Sequence, residues 1–102
     1  MKESIGLSLS DMSIDLRERY KIAKWVQGVV VTAINDGLRR IGTSLLLGDV
    51  VIKVAQERVA SSDDFWIKID KLKRAGDESV LLLVIRGGRY FRLVPVSITS
   101  RP

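Results

Sequence analysis

A strand with no hairpin partner directly behind it must find its neighbour far along the chain, and Ser4-Ile5-Gly6-Leu7-Ser8-Leu9-Ser10 is such a strand. It alternates apolar and small polar residues, and helical signals follow it. It is therefore expected at a sheet edge, where a row of backbone groups is left for an added strand. Gly6 permits a bend in which successive N–H groups converge on an anion. The plainer reading of the same residues is a terminal strand with a glycine bulge.

The 102 residues suffice for one domain with a core that needs neither a disulfide nor a metal. The sequence has no cysteine and no histidine. Thiolate and imidazole metal sites and the Ser-His-Asp and Cys-His mechanisms are thereby excluded from this chain, and neither a metal nor a cofactor is expected. The longest apolar run, Val80-Leu81-Leu82-Leu83-Val84-Ile85, falls far short of the length a membrane-spanning helix requires, so no membrane insertion is expected. No signal peptide is recognisable, and the chain is expected to be a piece of a longer protein. The net charge of +5 permits an acidic partner. Its distribution favours solvated faces: Lys68, Lys71, Lys73 and Arg74 follow Asp63 and Asp64 on one helix, the polarity that complements the helix dipole.

Beyond the first strand, Ser13 is an N-cap for a short helix Ile14–Tyr20 whose Leu16 and Tyr20 share an apolar face. Gly28–Ile34 is β-branched and closed by Asn35-Asp36-Gly37, which predicts a central strand. Leu38–Ile41 is expected to form one or two helical turns, and Gly48-Asp49 leads into a strand at Val50–Val54. Ser61 with Asp64 three residues on resembles a capping box, and Phe65, Ile69 and Leu72 then form a narrow apolar stripe, with Trp66 widening it or at its rim. Capping accounts for the two aspartates, and no nucleophile or metal cluster accompanies them in an acid/base role. Gly76 is the expected C-cap. Val80–Ile85, Gly87-Gly88 and Arg89–Val96 read as a two-residue hairpin, with Pro95 keeping the second strand from a central place and 98–102 forming a tail.

These elements predict an α+β fold: a partly open antiparallel barrel or sandwich of about five strands, capped by one main helix and one or two short ones. The domain is expected over 5–97, with 1–4 a leading segment. An open first strand beside an amphipathic helix makes a groove.

The order of elements and several short motifs resemble a PDZ domain of the circularly permuted bacterial kind found in Do-like (HtrA) serine proteases. Ser4-Ile5-Gly6-Leu7 stands where that family has its Gly-Leu-Gly-Phe-like carboxylate-binding loop. The run Ile5–Met12 followed by Asp15–Tyr20 is most similar to the opening of the second, C-terminal PDZ domain of those proteases. Gly28-Val29-Val30-Val31 resembles the family's Gly-Val-Val-Val strand, and Leu45–Val51 its Gly-Leu-x-x-Gly-Asp-Val-Ile segment. The chain departs from the pattern at Ser44, at Leu47 and at Ala55-Gln56, where the family commonly has glycine, proline and Asn-Gly. Phe65 stands at the first groove-facing helix position, where many PDZ domains place a histidine.

The resemblance implies a non-catalytic peptide-binding module of a periplasmic serine endoprotease active in protein quality control. Its partners would be peptide or unfolded-protein C-termini and the other domains or subunits of the parent. The N–H groups around Ile5, Gly6 and Leu7 would hold the terminal carboxylate. The peptide would add as a strand between Leu7-Ser8-Leu9 and the helix Ser62 to Lys73, and Leu7, Leu9, Ile69 and Leu72 would line the pocket for its last side chain, with Phe65 meeting a residue further back. One alternative is an assembly module with a closed groove, and another a basic nucleic-acid surface of Arg86, Arg89 and Arg92 with Tyr90 and Phe91.

Overall fold

The computed structural model describes residues 6–36, 38, 43–87 and 90–98. Its elements are β1 (Leu7–Asp11), α1 (Ile14–Tyr20), β2 (Val29–Ile34), β3 (Val50–Val54), β4 (Glu57–Arg58), α2 (Ser62–Arg74), β5 (Ser79–Arg86) and β6 (Tyr90–Ser97). The strands form one antiparallel sheet in the order β1-β2-β3-β5-β6, with β4 paired to β3. This is the expected α+β architecture, with one strand more than the sequence suggests. β4 escapes periodicity because it consists of two exposed charged residues. It is made by a tight turn in which Ala55 and Gln56 both take positive φ, 49° and 73°. That is the backbone an Asn-Gly pair adopts most easily.

Helices α1 and α2 are capped as their sequences dictate. Ser13 Oγ accepts from the Leu16 N–H at 3.1 Å, and Ser61 Oγ from the Asp64 N–H at 3.0 Å. At the other end of α2, Gly76 N–H donates to the Lys73 carbonyl and Asp77 N–H to the Leu72 carbonyl, a Schellman closure with Gly76 at φ 93°. The Arg17 guanidinium donates to the carbonyls of Ala23 and Val26 at 2.7 and 3.0 Å, which shapes the loop between α1 and β2.

Two apolar clusters lie on opposite faces of the sheet. The larger one packs α2 through Phe65 and Ile69 against Leu7, Val31, Leu82 and Val84. The smaller joins Ile22 and Val26 of the α1–β2 loop to Val30, Val50 and Ile85, with Leu16 and Tyr20 of α1 against it. Strand alternation sorts the residues: Val84 goes to one cluster and its neighbour Ile85 to the other. Ile98 is also fully buried in the larger cluster, and its N–H donates to the Glu78 carbonyl at 3.0 Å. The packed chain thus runs one residue into the segment that the sequence suggests as tail. Of the turns expected at Leu38–Ile41 only Leu38, which is buried, is described, and Gly88 of the expected hairpin turn and Arg89, expected to open the strand after it, lie outside the described residues.

Candidate functional site

Among the described residues β1 ends the sheet and pairs with β2 alone, so its second edge faces α2, which packs against β1 and β3. The Ser62 N–H donates to Asp11 Oδ1 at 2.6 Å, tying the start of the helix to the end of the strand. Strand and helix leave that tie and bury against the same core. Four strand residues back to Leu7 cover about 13 Å, and seven to ten helical residues reach about 10 to 15 Å, so Leu7 stands level with Ile69–Leu72.

Which backbone groups β1 offers on its open edge follows from the bonds on its closed one. The Gly6 carbonyl accepts from the Asn35 N–H of the β2 side, and the Ser8 carbonyl accepts from the Thr32 hydroxyl. A trans peptide unit points its C=O and the next N–H in opposite directions. The N–H groups of Leu7 and Leu9 therefore point to the open edge, spaced about 7 Å apart, the repeat of a paired strand. Gly6, just before them, has φ 86°. A Cβ there would lie 2.8 Å from Asn35 Oδ1 and 3.0 Å from Leu38 Cβ, so glycine is required by both backbone and space. Ile5, the first residue of the expected carboxylate-binding loop, lies outside the described residues.

The helix presents three faces to its surroundings. Phe65, Ile69 and Leu72 point toward the core, and Lys68 with Ala75 turns to the β3–β4 flank, where Lys68 Nζ meets Asp64 at 2.9 Å and Glu57 at 3.8 Å. Those partners, Asp64 first, hold the Lys68 ammonium above its ordinary pKa. The flank toward β1 carries Ser62, Trp66, Ile69 and Lys73, about 100° of helix rotation per residue placing them on one side. Phe65, expected to meet the ligand, is fully buried, as are Leu7 and Ile69 of the expected pocket to within 2%. Its neighbour Trp66 is partly buried, contacts it edge-to-face at 4.8 Å and 89°, and occupies the flank that Phe65 was expected to fill. Leu7 and Ile69 are buried, while Leu9 and Leu72 are partly so. The side chain of Ser8 lies on the opposite face of the strand from Leu7 and Leu9.

The remaining cations are engaged or dispersed. Arg86 donates through Nε and Nη2 to Asp49 at 2.9 and 2.7 Å and through Nη2 to the Ser44 carbonyl. The Asp49 carboxylate, which also accepts from the Leu46 N–H at 2.9 Å, raises the Arg86 pKa. Arg74 pairs with Asp70. Tyr90 shares a face of the hairpin with Arg86 and Arg92, whereas Phe91 lies on the other, so a nucleic-acid surface there would keep one of its two expected stacking rings. Among the described residues no cluster of carboxylates is placed to hold a metal ion.

An antiparallel sheet whose open end strand lies alongside an amphipathic helix, with a glycine of positive φ at the head of that strand, is the arrangement of a PDZ domain. The fold of the chain is that of a PDZ domain, as its likeness to a solved structure shows: the crystal structure of the HtrA3 PDZ domain bound to a phage-derived ligand (FGRWV) superposes with a TM-score of 0.62. The match covers 91% of this chain and 81% of the other at 19% sequence identity. No family model and no curated protein matches the sequence.

Proposed function

We propose that this chain is a peptide-binding PDZ module that captures C-terminal or extended peptide segments by adding them as a strand to β1. The observation that carries the reading is the open edge itself: two outward N–H groups, Leu7 and Leu9, beside the Trp66–Ile69 flank of α2. Main-chain pairing supplies affinity that tolerates many sequences, and the apolar flank selects among them. The terminal carboxylate would sit at Gly6, and the last side chain between Leu7, Ile69 and Leu72. Trp66 would meet a residue further from the end. The HtrA3 domain was solved with a peptide that ends in an apolar valine, which supports an apolar terminus here too. A small module of this kind is expected to bind in the micromolar range, about 7 to 8 kcal/mol.

The parent is read as a Do-like serine endoprotease of the periplasm, in which the module presents substrates or regulates the protease. The motifs from Ile5 to Tyr20 and from Leu45 to Val51 support that placement. It predicts a serine-protease catalytic domain upstream in the parent sequence.

Peptide N-methylation tests the strand-addition mode without perturbing the domain. Affinity measured by fluorescence anisotropy should fall at least tenfold when an amide facing β1 is methylated and stay unchanged at the alternate amides. Uniform loss, or none at any position, would rule out pairing with β1.

A further inference from the structure

The face of β1 that looks toward α2 ends on a charge. Leu7 and Leu9 pack on that face against the larger apolar cluster, and Asp11, the next residue of the same alternation, reaches across to the start of the helix. Its Oδ1 accepts from the Ser62 N–H at 2.6 Å, so a polar bond joins strand and helix there, where an apolar floor lies beside Leu7. Asp11 is exposed, and among the described residues its carboxylate makes no other hydrogen bond and no ion pair. Arg58 lines with it a depression of about 510 Å³ beyond the end of the strand without pairing with it.

We propose that Asp11 selects a basic side chain at the fifth residue from the end of the bound peptide, counting the last residue as the first. The inference rests on the reading that a peptide adds as a strand to β1. A strand whose carboxylate lies at Gly6 runs antiparallel to β1, which sets its last residue opposite Leu7, the third from the end opposite Leu9 and the fifth opposite Asp11. Opposed residues of an antiparallel pair point to the same face, with Cβ atoms about 4.5–5.5 Å apart. Leu9 lies two residues, about 7 Å, back from Asp11 and so stands level with Trp66, a turn past Ser62. The third residue from the end therefore meets Trp66. The fifth meets the Asp11–Ser62 bond, which offers no apolar pocket but a carboxylate with an oxygen in reach of a Lys or Arg head group. Side chains of the second and fourth residues point to the other face, with Ser8 and Ser10, and have no such partner. The sign of the effect is diagnostic, because the net charge of +5 and Arg58 both favour an acidic peptide, so a basic preference confined to one position is local to Asp11.

Fluorescence anisotropy of the 102-residue chain with peptides that share an apolar C-terminus and differ only in Lys, Ala or Glu at the fifth residue from the end tests it. The Lys peptide should bind about three- to tenfold more tightly than the Glu peptide, with Ala between them. Salt at about 0.5 M should shrink that ratio. Asp11→Asn, which keeps an acceptor for the Ser62 N–H, should bring it close to one. The same Lys and Glu exchange at the fourth residue should give no preference for Lys. Equal binding of the three peptides, tighter binding of Glu, a Lys preference that survives Asp11→Asn or one that recurs at the fourth residue would each overturn the assignment and leave strand capture standing. Failure of every peptide to bind would overturn strand capture and the assignment with it. Where Asp11→Asn folds poorly, the comparison of fifth with fourth residue on the wild-type chain decides the matter.

Discussion

Replacing Asp49 by Asn should cost this domain about 3 kcal/mol of stability, near the low end of what breaking a buried ion pair costs. Asp49 is 1% exposed and its carboxylate accepts three hydrogen bonds: Arg86 Nε at 2.9 Å, Arg86 Nη2 at 2.7 Å and the Leu46 N–H at 2.9 Å. Asn keeps the shape but turns an NH₂ toward one of those donors and leaves the guanidinium without its counter-charge. Arg86 retains 24% side-chain exposure and so recovers part of its hydration, which places the cost near 3 rather than 5 kcal/mol. The carbonyl of Asp49 accepts from the Val31 N–H, so the lesion also loosens the attachment of this turn to β2, the strand that supports β1. Urea unfolding followed by circular dichroism, with an unchanged m-value, measures the change, and each kcal/mol should lower Tm by about 4–8 °C. Arg86→Met alone should cost a comparable amount. Asp49→Asn with Arg86→Met should cost less than the sum by at least about 1 kcal/mol, since the second change removes the group that the first orphaned. A single-variant cost under about 1 kcal/mol, or strict additivity, would refute the reasoning.

Ala55→Asn with Gln56→Gly relieves two positive-φ residues at the β3–β4 turn and should raise stability by about 1 kcal/mol, read as a higher urea midpoint at unchanged peptide affinity. Phe65→Ala should cost about 3–5 kcal/mol of folding free energy because the ring is fully buried. Trp66→Ala should cost less stability yet weaken peptide binding about tenfold, and the reverse order in parallel unfolding and anisotropy measurements would restore Phe65 as the ligand-facing residue. The Asp64 carboxyl is held below its ordinary 3.8 first by the Ala60 N–H and then by Lys68. Its contribution is therefore complete above pH about 4 and is lost as pH falls below that through the depressed folded value; Asp64→Asn should flatten the acid limb of the urea midpoint below about pH 4.

Much of the fold is legible because local chemistry and tertiary structure agree. Ser13 and Ser61 cap as their positions suggest, the β-branched runs become strands, and Pro95 lies in the strand at the sheet's far end. The site is half legible. A first strand with no hairpin partner does end the sheet, and Gly6 does take positive φ. Phe65 and Trp66 are adjacent, so about 100° of helix rotation separates a core residue from one on the flank. A stripe at i, i+4 and i+7 identifies the buried face of α2 but not the side on which β1 lies; that follows from tertiary contacts, Lys68 against Glu57 on the β3–β4 side and the Asp11–Ser62 bond between residues 51 apart in the chain. The Asp49–Arg86 pair is equally invisible, since Gly48-Asp49 reads as a turn whatever lies across from it. The burial of Ile98, whose N–H donates to the Glu78 carbonyl, is not announced by the polar residues around it at the chain end.

The most direct test of strand capture at β1 is an NMR titration of the labelled domain with short peptides ending in an apolar residue, each with a free carboxylate and as its amide. Strand addition at an end that holds a carboxylate predicts shifts concentrated at Gly6, Leu7 and Leu9 and along Trp66 to Leu72, greatly reduced by amidation. Unmoved β1 amides at millimolar free-acid peptide would contradict the account, and shifts of equal size with the amide would contradict its carboxylate end.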